Sequence, residues 1–377
     1  MSGPSTSKSV NIDSSKPLAL IAELTHRCPL RCVYCSNPME LSLRESELPS
    51  AVWTRVFREA AALGVLHLDL TGGEPLARPD LIELIGAGRS AGLYISLITS
   101  GLPLTESKLA ALVEAGLDHV QLSFQGATAA TAHEIALTTS HGHKLHVLQW
   151  LRKHSIGVTL NFVIHRRNIH ELEQMIALVE DYQPGCAEFA SVQYYGWAFA
   201  NKEALLPTRA QVDHCVETLQ SAQIRLKGKT RVIFVVPDYY AKYPKPCVGG
   251  WGRKLMLVSP DGFVLPCHAA RIIPGLPFDN VKEKTLADIW ESSEAFCRFR
   301  GEDWMKEPCK SCSRRQEDFG GCRCQAFLLT GDAFSTDPVC SLVPTRAQVD
   351  VTLAAINAKI PCGPEEPPRY VYRKTCK

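Results

Sequence analysis

The chain lacks the features that would take it to a membrane or to nucleic acid. Its 377 residues contain no apolar run long enough to cross a bilayer. Lys and Arg number 41 against 39 Asp and Glu, a net charge of +2, and no long basic run breaks the balance. Polyanion binding needs such a run, so no nucleic-acid partner is expected. The opening residues are polar and rich in Ser and Lys, without the apolar segment of a secretory signal. Residues 1–17 are therefore expected to be a disordered tail and the protein to be cytoplasmic. No internal repeat appears beyond an alternation of strand-like and helix-like segments.

What the chain has in excess is cysteine, 15 in all. In a reducing compartment these stay thiols. They gather in 28–35 and 309–324 rather than spreading as a disulfide framework would, so metal ligation accounts for them better. A hydrophobic content of 45% supports a sizeable core, and the length suits two domains or one large α/β domain with an extension.

The first group is Cys28-Pro-Leu-Arg-Cys32-Val-Tyr-Cys35, which follows the apolar segment Leu18–Leu24. The three cysteines leave the end of a buried strand together and can converge on one centre. Three thiolates are one short of a closed tetrahedral zinc site. A cubane iron–sulfur cluster on three cysteines leaves one iron open. On this stretch alone, half a zinc site or a redox pair with a spare thiol stays possible.

From residue 18 to about 236 strands and helices alternate. Further strand candidates are Leu66–Thr71, Tyr94–Thr99, His119–Phe124, Val158–Ile164, Ala187–Tyr194 and Arg231–Val236. Amphipathic stretches fall at 50–63, 79–91, 105–115, 128–154, 169–181 and 208–227, several ended by Gly64, Gly92 and Gly116. Repeated βα units predict a parallel sheet with helices outside it. Six units are too few for a closed eightfold barrel, so the expected fold is α/β, an open, partial (β/α)6 barrel. Working residues in such folds sit at the C-terminal ends of strands. There lie Thr71-Gly-Gly-Glu-Pro75, Ser100, Ser123, Gln125 and Asn161. A Gly-Gly turn before a helix is common, and polar strand ends are usually satisfied structural groups. Gly72 and Gly73 would also let backbone approach a ligand closely, and Glu74 would offer a carboxylate to an ammonium group.

After Pro237 the texture changes to frequent Pro, Gly and Cys, with one helix predicted at 285–298 and another, later, at 345–358. Here lie Cys247, Cys267, Cys309, Cys312, Cys322, Cys324 and Cys340. A region so poor in long periodic elements needs cross-links, which metal centres supply. On 247–340 alone the spacings suit zinc as well as iron.

Taken together, the three-cysteine loop and the Gly-Gly-Glu-Pro segment resemble the radical S-adenosylmethionine (SAM) enzymes, and the second cysteine group resembles their SPASM extension. The resemblance implies a 4Fe–4S cluster on Cys28, Cys32 and Cys35, with SAM on the open iron. Gly72, Gly73 and Glu74 would meet its methionine moiety, and the Tyr34 backbone its adenine. Ser100, Ser123, Gln125 and Asn161 are candidate cofactor contacts, the last three for ribose and carboxylate. The SPASM pattern implies two auxiliary clusters, 2Fe–2S or 4Fe–4S. Auxiliary I falls to Cys247, Cys267, Cys322 and Cys324. Auxiliary II falls to Cys309, Cys312, Cys340 and Asp318. This chain departs from the pattern at Asp318, where the family has cysteine; a carboxylate there makes its iron more exchangeable. Cys186, Cys215 and Cys297 read as inert core thiols and Cys362 and Cys376 as oxidation-prone tail residues. Tyr194, Tyr195, Trp197 and Trp251 either line a peptide channel or pack in the core.

A closer resemblance, over residues 18–343, is to the E-protein family of pyrroloquinoline quinone (PQQ) biosynthesis. It rests on Glu23–Pro38, Asp118–Gln125, Val192–Ala198, Val236–Tyr240, Pro246–Arg253 and Pro266–Ala270. It implies a peptide cyclase that uses a 5′-deoxyadenosyl radical to join a Glu side-chain carbon to a Tyr ring in a PqqA-like precursor peptide. A PqqD-like peptide chaperone and an electron donor such as flavodoxin would be its partners. Related SPASM enzymes that form thioethers or oxidise a sulfatase residue would share the cluster ligands; a zinc-stabilised binding module is the non-enzymatic alternative. The expected division is a barrel over 18–236, the auxiliary-cluster region over 237–343 and a C-terminal extension over 344–377.

Overall fold

A computed structural model describes residues 16–358 and 368–375. The tail expected over 1–17 and the thiols of Cys362 and Cys376 lie outside these, apart from Lys16 and Pro17. The apolar segments become strands β1 (Ala19–Thr25), β2 (His67–Gly72), β3 (Tyr94–Thr99), β4 (His119–Phe124), β5 (Gly157–Ile164), β6 (Cys186–Ser191) and β7 (Arg231–Phe234). Each pairs in parallel with the next. Outside them run α1 (Ser50–Leu63), α2 (Leu81–Ser90) and α3 (Glu106–Glu114), then α4 (Ala129–Ala136), α5 (His141–Lys153) and α6 (Leu172–Tyr182). Short helices α7 (Gly196–Ala200) and α8 (Lys202–Leu205) precede α9 (Arg209–Arg225), which starts on a capping box between Thr208 and Gln211.

The sheet stays open, as six βα units predict, and it is longer than expected. Two further strands, β8 (Leu255–Val258) and β9 (Val264–Leu265), extend it to the order β7-β6-β5-β4-β3-β2-β1-β8-β9. β8 runs parallel to β1, pairing Ala19 with Leu255 and Ala22 with Val258, and β9 returns antiparallel. Four and two residues are too short to show a period among prolines and glycines, so the sequence hides them.

Other differences are local. The stretch 128–154 is two helices, broken where Leu137 takes a left-handed φ of 52°. The stretch 285–298 also splits, at Ser293, into α10 (Leu286–Ser292) and α11 (Glu294–Cys297). β6 stops at Ser191, which leaves Tyr194 and Tyr195 in the turn before α7. Helices α12 (Arg315–Asp318) and α13 (Arg323–Thr330) lie among the later cysteines, and α14 (Arg346–Asn357) closes the main segment.

The region after Pro237 does not build its own core. Trp251, Met256, Val258, Leu286, Phe296 and Phe299 are buried in the same apolar cluster as the barrel strands. A second cluster joins Val349, Leu353 and Ile356 of α14 to Tyr239, Tyr240 and Leu205, with Tyr370 and Tyr372 packed on it. Parallel strands of one sheet bring their C-terminal ends to one edge, and the cysteine loop, the Gly-Gly-Glu-Pro turn, Ser100 and Gln125 all follow such ends.

Candidate functional site

The cysteine loop is tied down on both sides. Arg31 N–H donates to Ala136 O at 3.0 Å and Val33 N–H to Ile135 O at 3.1 Å. Asn201 Nδ2 donates to Val33 O at 2.9 Å. Held this way, Cys28, Cys32 and Cys35 line one cavity of about 350 Å³ with Tyr34, Gly72 and Gly73. Ser100, Ser123, Gln125 and Asn161 stand on the same walls. Burial pushes the Cys28 thiol up to about 12, and Cys32 and Cys35 rise for the same first reason. For Cys32 the neighbouring sulfurs add to it. Three crowded, buried thiols are poor thiolates by themselves and good ones beside a cation, which is the chemistry of a metal donor set.

Glu74 stands just behind the residues that line this cavity. It is fully buried and does not reach the cavity wall. Oε1 accepts from Thr99 Oγ1 at 2.6 Å and Leu76 N–H at 3.1 Å. Oε2 accepts from Ser100 N–H at 2.9 Å and from the Ser100 hydroxyl. A carboxylate has about four acceptor positions, and these four donors fill them. Those bonds fix the end of β3 and with it Ser100. The glycines before it answer first to the protein. A Cβ on Gly72, at φ +127°, would lie 2.3 Å from Thr25 O, and one on Gly73 would lie 2.4 Å from Arg27 O. Their bareness lets the β2 turn seat against the backbone that opens the cysteine loop.

The strand-end polar residues carry structural bonds as well as cavity exposure. Lys144, buried in α5, donates to Gln125 Oε1 at 2.6 Å and Ser123 O at 2.7 Å. Burial lowers its pKa to about 8. Asn161 Nδ2 donates to Glu188 Oε2 at 3.2 Å. The Tyr34 ring packs 5.5 Å from His165. Sequence reading missed Asn37, Gln121, Gln193, His268 and Arg373, which also line this cavity. Gln121 was legible, since it shares one face of β4 with Ser123 at a spacing of two. The others come from loops that only the fold brings near.

A second cavity, of about 270 Å³, is lined by Cys247, Cys267, Cys322 and Cys324. Cys267 Sγ lies 3.8 Å from Cys324 Sγ. Asp337, fully buried, holds this corner: it accepts from Cys322 N–H at 2.8 Å, Val339 N–H at 3.0 Å and Gln325 Nε2 at 2.9 Å. A third, small space of about 30 Å³ is lined by Cys309, Cys312, Asp318 and Cys340. Asp318 Oδ1 accepts from Gly320 N–H at 3.0 Å, and Oδ2 lies 3.8 Å from Arg314 Nε. Burial raises its pKa.

The fold thus gathers each of the three expected ligand sets around its own space. Among the described residues no group of three or more His, Cys, Asp and Glu side chains is arranged to hold a single metal ion. The cysteines line open spaces.

The first two cavities share a wall of Ser191, Val192, Gln193, Tyr195 and His268. His268 Nδ1 lies 2.9 Å from Glu23 Oε1, and His26 Nε2 lies 3.4 Å from Glu23 Oε2. Burial alone would raise the Glu23 pKa, but these two histidines outweigh it and hold the carboxyl at about 2. Tyr194 and Tyr195 line the second cavity, whereas Trp197 and Trp251 are core residues, the latter bonded through Nε1 to Ala295 O at 2.7 Å. Of the supposed core thiols, Cys215 is buried and Cys186 half-buried, but Cys297 is exposed. Its neighbours Ala295 and Phe296 take the inner face of α11, which leaves Cys297 outside. No helix among the described residues is long and apolar enough to cross a membrane.

Residues 22–179 match the family described as the radical SAM superfamily, and residues 247–313 match the SPASM iron–sulfur cluster-binding domain. The chain is 54% identical over 358 residues to a PqqA peptide cyclase of Methylorubrum populi, covering 95% of this chain and 92% of that one. It is 52% identical over 337 residues to a PqqA peptide cyclase of Gluconobacter oxydans, covering 89% and 94%. Streptococcus suis SuiB bound to S-adenosylmethionine shares the fold, with a TM-score of 0.73 at 18% identity over 86% of this chain and 77% of that one. The anSMEcpe protein with bound AdoMet and the Kp18Cys peptide does so with a TM-score of 0.64 at 17% identity over 91% and 99%.

Proposed function

The chain belongs to the family of PqqA peptide cyclases, radical SAM enzymes with a SPASM extension, and from that premise we propose that it joins a glutamate side-chain carbon to a tyrosine ring within one precursor peptide of PQQ biosynthesis. A radical SAM enzyme uses a 4Fe–4S cluster and SAM, and the SPASM region binds iron–sulfur clusters. Cys28, Cys32 and Cys35 are the ligands we assign to the first. Cys247, Cys267, Cys322 and Cys324 take auxiliary I, and Cys309, Cys312, Cys340 and Asp318 take auxiliary II. The observation that carries this reading is the wall shared by the first two cavities. A substrate seated at Gln193, Tyr195 and His268 faces the SAM space on one side and a four-cysteine space on the other.

When bound, the cluster and SAM supply a 5′-deoxyadenosyl radical that takes a hydrogen atom from an unactivated carbon. Exchanging two C–H bonds for one C–C bond removes two hydrogens. One leaves as an atom and the other as a proton and an electron; Cys247, Cys267, Cys322 and Cys324 would hold a group able to accept that electron. The chain's own residues hold the geometry. Glu74 sets Ser100, Lys144 sets Gln125, and the Glu23 carboxylate orients His268 at the wall. A PqqD-like chaperone would deliver the peptide and a flavodoxin-type donor would supply the first electron.

The test is made without oxygen. Reconstituted protein is incubated with SAM, reductant, the chaperone and a precursor peptide containing Glu and Tyr, and the peptide is weighed. Loss of two hydrogens, with the Glu–Tyr segment held together on fragmentation, is the expected result. 5′-Deoxyadenosine formed beside an unchanged peptide would reject this substrate, and protein carrying zinc without acid-labile sulfide would reject the chemistry.

A further inference from the structure

The segment 368–375, far from every cysteine motif in sequence, crosses the cysteine loop. Val371 is held on both sides by Asn201: its N–H donates to Asn201 Oδ1 and its carbonyl accepts from Asn201 Nδ2, each at 2.8 Å. The same Asn201 amide donates to Val33 O at 2.9 Å, inside the loop. Tyr370 and Tyr372 donate to Glu134 Oε1 at 2.6 Å and Glu134 O at 2.8 Å. Arg31, between the first two cysteines, donates from Nε to Arg373 O at 3.1 Å.

This places Arg373 in the wall of the SAM cavity, 1% exposed. Nη2 donates to His26 O and lies 3.4 Å from Asn37 Oδ1, the same oxygen that accepts from Cys35 Sγ at 3.4 Å. Nη1 donates to Lys374 O at 3.0 Å. Nε is buried with no partner among the described residues. Among the described residues no carboxylate lies within ion-pair distance of the guanidinium. A buried, always-charged guanidinium without a counter-charge is costly. It lines the same cavity as Cys28, Cys32 and Cys35, its charge acts on all three sulfurs, and it shares Asn37 Oδ1 with Cys35 Sγ.

We infer that Arg373 is a cofactor-binding residue of the SAM cluster, donating to a sulfur at the Cys35 corner and supplying the cation that balances the thiolate-ligated cluster. The C-terminal segment is then the strap that carries this cation over the site. The inference rests on the reading of Cys28, Cys32 and Cys35 as cluster ligands. A fixed positive charge favours the more negative, reduced cluster, so it sets how readily the cluster accepts its electron.

The test compares Arg373→Gln and Arg373→Lys with the parent protein, all with clusters reconstituted. Each is poised at a series of potentials, and the SAM-responsive signal of the reduced cluster is followed by electron paramagnetic resonance. Arg373→Gln should bind as much iron but show a several-fold smaller reduced fraction at a fixed potential. Arg373→Lys should restore most of it, and a chain ending at residue 367 should behave like Arg373→Gln. An unchanged reduced fraction in Arg373→Gln would overturn the inference. So would loss of all three clusters together, which would make Arg373 a support of the fold. Parent protein that binds no cluster through Cys28, Cys32 and Cys35 would overturn the ligand assignment itself.

Discussion

Glu74 and Ser100 are joined twice, the carboxylate accepting from the serine N–H at 2.9 Å and from its hydroxyl. Ser100 lines the cavity of the cysteine loop and Glu74 stands behind it, so we expect Glu74 to act on a ligand there through Ser100. Glu74→Ala strands the Leu76 and Ser100 N–H groups in a dry site, at about 2–4 kcal/mol. We expect a matching loss in unfolding free energy and a roughly tenfold weaker SAM affinity, about 1.4 kcal/mol. Glu74→Gln, which keeps one acceptor oxygen, should lose less of both. If Glu74 met the ammonium directly, Glu74→Gln would lose nearly all SAM binding while stability barely moved.

Cys28→Ala separates the first centre from the other two. Its sulfur belongs to a cavity that shares no cysteine with either remaining space. Iron content should fall by about four atoms per chain if the centre is a cubane. SAM cleavage should vanish while the auxiliary signals persist. Cleavage at the parent rate would remove Cys28 from the ligand set.

The barrel strands were legible in the sequence because parallel strands buried between helices read as apolar runs. The cysteines that line the three spaces were legible because many fall in short motifs, while their grouping came from the SPASM resemblance. What stayed hidden depends on contacts distant in sequence. The donors that hold Glu74 come from Leu76, Thr99 and Ser100, and no pattern in the sequence shows that they meet on its carboxylate. Arg373 sits in the C-terminal extension, outside every motif, and the bonds to Asn201, Glu134 and Arg31 bring it under the loop. Cys297 was misread because apolar neighbours say nothing about which side of a single helical turn a residue takes.

Asp318 is the one carboxylate among the thiols of the third space. If it ligates iron, Asp318→Ala should alter the spectrum of one auxiliary cluster and leave the SAM-responsive signal intact. Asp318→Cys should keep the cluster but lower its reduction potential, because thiolate donates more charge to iron than carboxylate does. Asp318 also accepts from Gly320 N–H, so Asp318→Ala should cost about 1 kcal/mol of stability whatever the metal does. An unchanged auxiliary spectrum would leave only that structural bond.

Iron removal should divide the region after Pro237 unevenly. Its first part is bound into the sheet: Leu255, Met256, Leu257 and Val258 pair with Ala19, Leu20, Ile21 and Ala22 of β1. Trp251, Met256 and Phe296 are buried in the barrel's own core. None of these contacts needs a metal. The segment around Cys309, Cys312 and Asp318 has only the four-residue α12 and a string of exposed or half-exposed side chains. Its chain entropy is offset chiefly by whatever its ligands bind. After anaerobic chelation, amides of 305–320 should exchange with solvent deuterium far faster, while those of Leu255–Val258 keep most of their protection. Equal loss in both would mean that the clusters support the sheet edge as well, and that β8 is held by the metal-bound region rather than by β1.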